Sequence, residues 1–261
     1  MTSGAQPTEQ IGVEQMTAAA RQVEQYLEQY IDSRPCPPSL REAVRYAALA
    51  PGKRLRPVLV IHGCQAVGGE SNQALAPAAA IELVHAFSLV HDDLPAMDDD
   101  DLRRGRPTLH RHTSEAMAIL AGDSMLATAV ELVLSQVHPP DRARDIAAEL
   151  VAGTNDMIAG QVYDTLPDFD GGLSAEQRLT TIHRHKTGAL IRAACRMGAL
   201  VGGADHKALG ALTHYAEAIG LMFQIVDDLL DVTQTTEQLG KTAGKDETQH
   251  KLTYPAVYGI D

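Results

Sequence analysis

The stretch HAFSLVHDDLPAMDDDDLRRGRPTLH, residues 85–110, decides how the rest of the chain is read. It holds six aspartates, two adjacent arginines and an apolar run leading into them. Ala80, Ile81, Val84, Ala86, Phe87 and Leu89 suit a helix whose C-terminal end carries the acids. His85, Ser88 or Leu89, and Asp92 recur at helical spacing and so lie along one face. Asp92, Asp93 and Asp98 form a cluster that repels itself, and carboxylates crowded in a partly desolvated place raise one another's pKa. A bound divalent cation removes that conflict. Oxygen-only donors select a hard ion such as Mg2+.

An isolated aspartate run is more often a solvated loop. A second cluster weighs against that reading: Asp227, Asp228 and Asp231 end another apolar helix, Ile219 to Leu230. There Gln224, Asp227 or Asp228, and Asp231 share a helical face. An EF-hand is a poor fit, because neither cluster has the loop glycine at the sixth position or the glutamate at the twelfth.

The chain's 261 residues allow one large domain or two ordinary ones. Hydrophobic residues make up 44% and aromatics only 4%, with abundant alanine, a mix that favours helices over sheets. A formal net charge of -12 argues against nucleic-acid partners. It leaves room for an anionic substrate bridged to the acids by metal. Cys36, Cys64 and Cys195 are far apart and form no CxxC pair, as expected of reduced thiols in a cytoplasmic protein. The polar start, MTSGAQPTEQ, is no signal peptide, and no apolar run reads as a membrane span.

Residues 1–12 read as disordered, and 13–261 as one all-α domain, a helical bundle around a central apolar cavity. The first helix spans Val13 to Ile31 and the second Ser39 to Ala50. A basic turn, Pro51 to Pro57, follows. The Val- and Ile-rich run Val58 to Val67 has no strand partner nearby and reads as a buried helix. Ser71 is placed to cap the helix that leads to the first cluster. Further helices follow Thr113 or Ser114, then Asp141 to about Asp164. Ser174 and Gln177 form a capping box for the next helix, in which Gly188 is placed to make a kink. Asp205 caps the helix of the second cluster. A polar loop from Gly240 leads to a last short helix at Tyr254-Pro255.

Basic residues stand where phosphate would lie: Lys53 and Arg56, Arg103 and Arg104, Lys186, Lys241 and Lys251. Each alone is an ordinary surface charge. Their placement at turns and acidic helix ends points to a diphosphate clamped by cations, hence a good leaving group, beside a dry apolar wall suited to a carbocation.

The motifs GKRLRP (52–57), HDDLPAMDDDDLRRGRPTLH (91–110), HKTGAL (185–190) and FQIVDDLLD (223–231) closely resemble those of the trans-isoprenyl diphosphate synthases, and most of all the bacterial farnesyl diphosphate synthases. The resemblance runs from about Val13 to Tyr258. It implies an isoprenoid-synthase helical bundle, a homodimer, and a prenyltransferase joining isopentenyl diphosphate to dimethylallyl or geranyl diphosphate. Asp92, Asp93, Asp98, Asp227, Asp228 and Asp231 would bind two or three Mg2+ ions, three with substrate present. Lys186 and five of these acids (Asp92, Asp93, Asp98, Asp227 and Asp228) would act in catalysis. Lys53, Arg56, His85 and Arg104 would hold isopentenyl diphosphate. Arg103, Lys186, Thr187, Gln224, Lys241 and Lys251 would hold the allylic diphosphate.

Phe87, five residues before Asp92, with Ser88 beside it and Val84 one turn deeper, resembles the chain-length floor of farnesyl-producing members. Farnesyl diphosphate is therefore the expected product, with geranylgeranyl diphosphate the alternative. A terpene cyclase on the same fold would lack the basic pocket, and a non-catalytic subunit would have lost one acidic motif. Two departures stand out. Pro51 replaces a glycine common before the GK pair. The chain also stops at Asp261, where relatives continue for one or two helices, so C-terminal helices are expected to be missing.

Overall fold

The apolar segments fold as helices. The computed structural model describes residues 7–166, 168–169, 171–233 and 252–259. In chain order it has α1 (Pro7–Ser33), α2 (Pro38–Ala48), α3 (Leu55–Ala66), α4 (Leu75–Asp92), α5 (Leu109–His112), α6 (Glu115–Gln136), α7 (Pro140–Thr165), α8 (Ala175–Ile182), α9 (Ala189–Gly202), α10 (His206–Thr233) and α11 (Tyr254–Tyr258). The one sheet among the described residues is an antiparallel hairpin, β1 (Leu102–Arg103) with β2 (Arg106–Pro107), Leu102 facing Pro107. The all-α expectation holds. The hairpin was not expected, because its four residues carry no alternating pattern.

Helix α4 is apolar on nearly every side, and it is buried from Ala76 to Val90 apart from His85, Ser88 and Leu89, which are half-buried. A helix apolar all round belongs inside a bundle. The Val/Ile-rich α3 is helical for the same reason. It packs closely on α9, where a Cβ on Gly198 would strike the Val60 carbonyl.

Several boundaries differ from expectation. Helix α1 begins at Pro7, inside the stretch expected to be disordered. Ser71 does not cap α4. It starts a 3-10 turn, Ser71–Ala74, held by a Glu70–Gln73 capping box, and α4 follows without a side-chain cap. Ser114 caps α6 by accepting from the Met117 amide (3.1 Å). Ser174 and Gln177 form the expected box, and Asp205 accepts from the Ala208 amide (2.8 Å).

At Gly188 the chain widens into a π turn, His183–Gly188, rather than kinking. Two other glycines make room for it. A Cβ on Gly160 of α7 would strike the Lys186 backbone, and Gly220 of α10 lies against Gly188. The π turn is thereby nested between α7 and α10, a form common at functional sites.

The expectation that no segment is long and apolar enough to span a membrane does not hold. Ser71–Asp92, Glu115–Gln136 and His206–Thr233 all reach that length and hydropathy. The first is explained by burial within the bundle, 72% of its apolar window being covered; the window of Glu115–Gln136 is 44% buried and that of His206–Thr233 11%.

Candidate active site

Arg54 anchors the basic turn. It adopts a left-handed backbone (φ 50°) and is buried, donating to Glu82 (2.7 Å), to Glu24 (2.9 Å) and to the Ala50 carbonyl (2.7 Å). This fixes the turn against α1 and α4 and sets Lys53 and Arg56 on either side. Lys53 is exposed. Arg56 Nη1 lies 3.4 Å from His85 Nε2, and the buried Arg56 Nε has no hydrogen-bond partner. Arg104, also left-handed (φ 54°), donates to the Pro51 carbonyl (2.6 Å) and lies against Gly52.

Of the four residues expected together, Arg56 and His85 are in contact and the charge of Arg104 acts on both, whereas Lys53 is exposed. Burial, then the charges of Arg56, Arg104, Arg103 and Arg54, hold His85 well below the ordinary imidazole range. It is neutral at pH 7. Burial also lowers the Arg56 pKa, against support from Glu82 and Asp227, and Arg104 lowers it further. Burial likewise lowers the Arg104 pKa, with Arg54 and Arg103 adding and Glu82 opposing.

The first acidic cluster caps α4. Burial above all, with Asp98 and Asp93 adding and Lys186 and Arg103 opposing, pushes the Asp92 carboxyl up to about 6. The Asp98 amide donates to the Asp92 carbonyl (2.8 Å). Asp93 is buried and clasped by Arg103, whose Nε reaches both oxygens (2.8 and 3.0 Å) and whose Nη2 reaches one (2.5 Å). Arg103 thus faces an aspartate here. The hairpin carrying both arginines is held at its root by Tyr46. The Tyr46 hydroxyl donates to the Pro107 carbonyl (2.7 Å), its ring stacks on His112 (4.0 Å), and Arg106 lies over it (4.2 Å).

At the second cluster Asp227 is exposed, while Asp228 and Asp231 are buried. Asp228 accepts from Gln224 (2.7 Å), from the Tyr254 amide (2.7 Å) and from His183 (3.1 Å). Burial raises its pKa, but these donors outweigh burial and hold it below the usual carboxylate range. Thr187 donates to Gln224 Oε1 (2.6 Å), and Lys186 pairs with Asp164 (2.6 Å). Lys186 acts electrostatically on Asp92, and Asp227 on Arg56, so the π turn, α10 and the end of α4 serve one region. Lys241 and Lys251 lie outside the described residues.

Val84 and Phe87 belong to the packed core rather than to an open central cavity. The Phe87 ring meets His91 edge-on (5.3 Å), and the Ser88 hydroxyl donates to the His85 carbonyl (3.0 Å).

Sequence reasoning missed Arg54, Glu82, Tyr46, Asp164 and His183. Glu82 was readable: a lone acid in the apolar run from Ala74 to Val90 must find a partner when buried. Nothing in the spacing singles out the others.

Among the described residues no three acidic, histidine or cysteine side chains converge closely enough to hold an ion unaided. The Asp92 carboxyl, pushed up to about 6 chiefly by burial, and the all-oxygen donors would fit Mg2+ shared with a substrate diphosphate, the way this ion is commonly held. If Mg2+ binds here, Asp92, Asp98 and Asp227 are the residues that would hold it.

The polyprenyl synthetase family model matches residues 37–261. The chain belongs to the polyprenyl synthetase family. It is 49% identical over 234 residues to geranylgeranyl pyrophosphate synthase 12, chloroplastic, of Arabidopsis thaliana, covering 86% of this chain and 64% of that protein. The chain thus spans somewhat less than two thirds of that relative's length. Among solved polyprenyl synthetase structures, a geranylgeranyl pyrophosphate synthetase from Pyrococcus horikoshii Ot3 superposes with a TM-score of 0.79 at 36% identity, covering 89% of this chain and 71% of that one. An FPP/GFPP synthase from Zymomonas mobilis superposes with a TM-score of 0.76 at 34% identity, over 90% and 87%.

Proposed function

We propose that this polyprenyl synthetase condenses isopentenyl diphosphate head-to-tail with an allylic diphosphate. The observation that carries the reading is the cluster in which Arg56 lies 3.4 Å from neutral His85 and the charge of Arg104 acts on both, with a buried Arg56 Nε left without a partner. Such a cluster suits a diphosphate that must be held while its carbon tail reacts. Mg2+, when bound, supplies charge neutralisation of the departing diphosphate. Lys186, close enough to act on Asp92, stabilises the same developing charge, and Thr187 and Gln224 orient the allylic diphosphate. The apolar α4 wall keeps water from the carbocation.

The relatives' names support geranylgeranyl diphosphate as the product, in place of the farnesyl diphosphate expected first. One observation favours farnesyl diphosphate as a second reading. The bulky Phe87 sits on α4 ahead of Asp92, nearly buried and backed by His91. A homodimer is supported by apolar side chains exposed on the neighbouring helices α6 (Ile119, Leu120, Leu134) and α7 (Val151, Ile158, Val162).

The test is to incubate the protein with dimethylallyl and isopentenyl diphosphates and Mg2+ and to measure product length by chromatography. C20 product is expected. C15 product that lengthens in a folded Phe87→Ala variant would establish the second reading, and absence of any condensation would overturn both. Removing a buried Phe costs roughly 3–5 kcal/mol, so folding of the variant is checked first.

A further inference from the structure

Asp228 is buried near the end of α10. Its oxygens are already engaged by donors from three separate parts of the chain. Gln224 reaches Oδ1 from one turn back on α10, the Tyr254 amide reaches Oδ2 from the start of α11, and His183 approaches Oδ2 from the π turn. His183 and Asp228 are both buried, 4% and 5% exposed. A carboxylate offers about four lone-pair positions, so three donors leave little for a cation. Releasing buried, charge-assisted bonds to coordinate an ion would leave those donors unsatisfied.

The network also has a direction. Asp228 accepts only, so His183 presents Nε2–H and Gln224 its NH2. Gln224 must then turn its carbonyl oxygen to the Thr187 hydroxyl, which donates to it at 2.6 Å. Lys186, the residue before Thr187, acts on Asp92 together with Arg103. His183 and Thr187 are the two ends of one chain of contacts that closes on the π turn carrying both. The arrangement explains why this turn needs a buried histidine: its ring ties the start of the turn to α10, and the hydroxyl ties the end.

We infer that Asp228 is the hub of a positioning network rather than a ligand of the metal–diphosphate site, and that His183 is the positioning residue that holds it. The inference rests on the prenyltransferase reading for what the network positions: Thr187 and Lys186, toward the allylic diphosphate. Asp227, exposed one residue earlier, is the acid of this pair left to meet an ion.

The test uses the full chain and two readouts. Mn2+ binding in the presence of inorganic pyrophosphate, followed by electron paramagnetic resonance, requires no turnover. His183→Ala and Asp228→Asn are expected to keep wild-type Mn2+ affinity, while Asp227→Asn loses it. In steady state His183→Ala is expected to raise the allylic KM by about tenfold, as for the loss of a hydrogen bond to a charged group, and to leave the isopentenyl KM nearly unchanged. His183→Gln, whose amide can donate to Asp228, is expected to recover most of that loss. Mn2+ binding weakened in Asp228→Asn as much as in Asp227→Asn overturns the inference. So does an unchanged allylic KM in folded His183→Ala. If His183→Ala fails to fold, Asp228→Asn alone decides through Mn2+. If the wild type condenses nothing, the prenyltransferase reading fails, and the Mn2+ comparison still decides whether Asp228 is a ligand.

Discussion

Asp92 is the residue whose charge state most directly reports on the site. Its carboxyl is pushed up to about 6 from an ordinary 3.8, chiefly by burial at the end of α4. A carboxyl raised in the folded state favours folding most when both states are protonated, below the unfolded value. That contribution is lost as pH rises from about 4 through about 6. Without metal, the protein is therefore expected to lose stability across that window, and Mg2+ with pyrophosphate to restore it only above the window. Thermal unfolding midpoints with and without Mg2+ and pyrophosphate, at pH 5 and pH 7.5, would check this. The midpoint should rise clearly more at pH 7.5, and an equal rise at both counts against Asp92 as a ligand. Glu82 illustrates the other kind of buried acid. It is paired to Arg54 inside the bundle, and its value is in fixing the basic turn.

At the scale of elements, the hairpin after the acidic loop is tied to α2 by one residue. Tyr46 of α2 holds it through a hydroxyl bond, a stack and a cation above the ring. Tyr46→Phe removes only the first, about 0.5–1.5 kcal/mol, whereas Tyr46→Ala removes all three. Hydrogen exchange over residues 100–108 is expected to quicken strongly in Tyr46→Ala and slightly in Tyr46→Phe. Equal protection in all three proteins would show that the hairpin is held elsewhere. None of this was legible in advance, because Tyr46 and Pro107 are remote in sequence and a four-residue hairpin leaves no periodic trace. The long helices were legible, since α4 and α10 carry their apolar residues and terminal aspartates in one window. The π turn was half legible. Gly188 marked an irregularity, but its form depends on Gly160 of α7 and Gly220 of α10, which only the packed bundle brings against it.

At the scale of the molecule, composition and motif order were sufficient for the all-α bundle and its family. They misjudged length and hydropathy: among the described residues three helices are long and apolar enough to cross a membrane, and of these the bundle covers most of the apolar window of α4. The acidic clusters were identified as a set, whereas the fold divides them. Asp93 is clasped by Arg103, Asp228 by three donors, and Asp92 is left strained. Local spacing gives identity of charge but not its partners. The central claim is the proposal that the Arg56–Arg104–His85 cluster receives isopentenyl diphosphate, while Lys186 and Thr187 serve the allylic diphosphate. Steady-state kinetics of Arg56→Ala with each substrate varied in turn tests it most directly. The expected result is an isopentenyl KM raised by about tenfold or more with the allylic KM nearly unchanged. Equal increases for both substrates, or a change in the allylic KM alone, would contradict it.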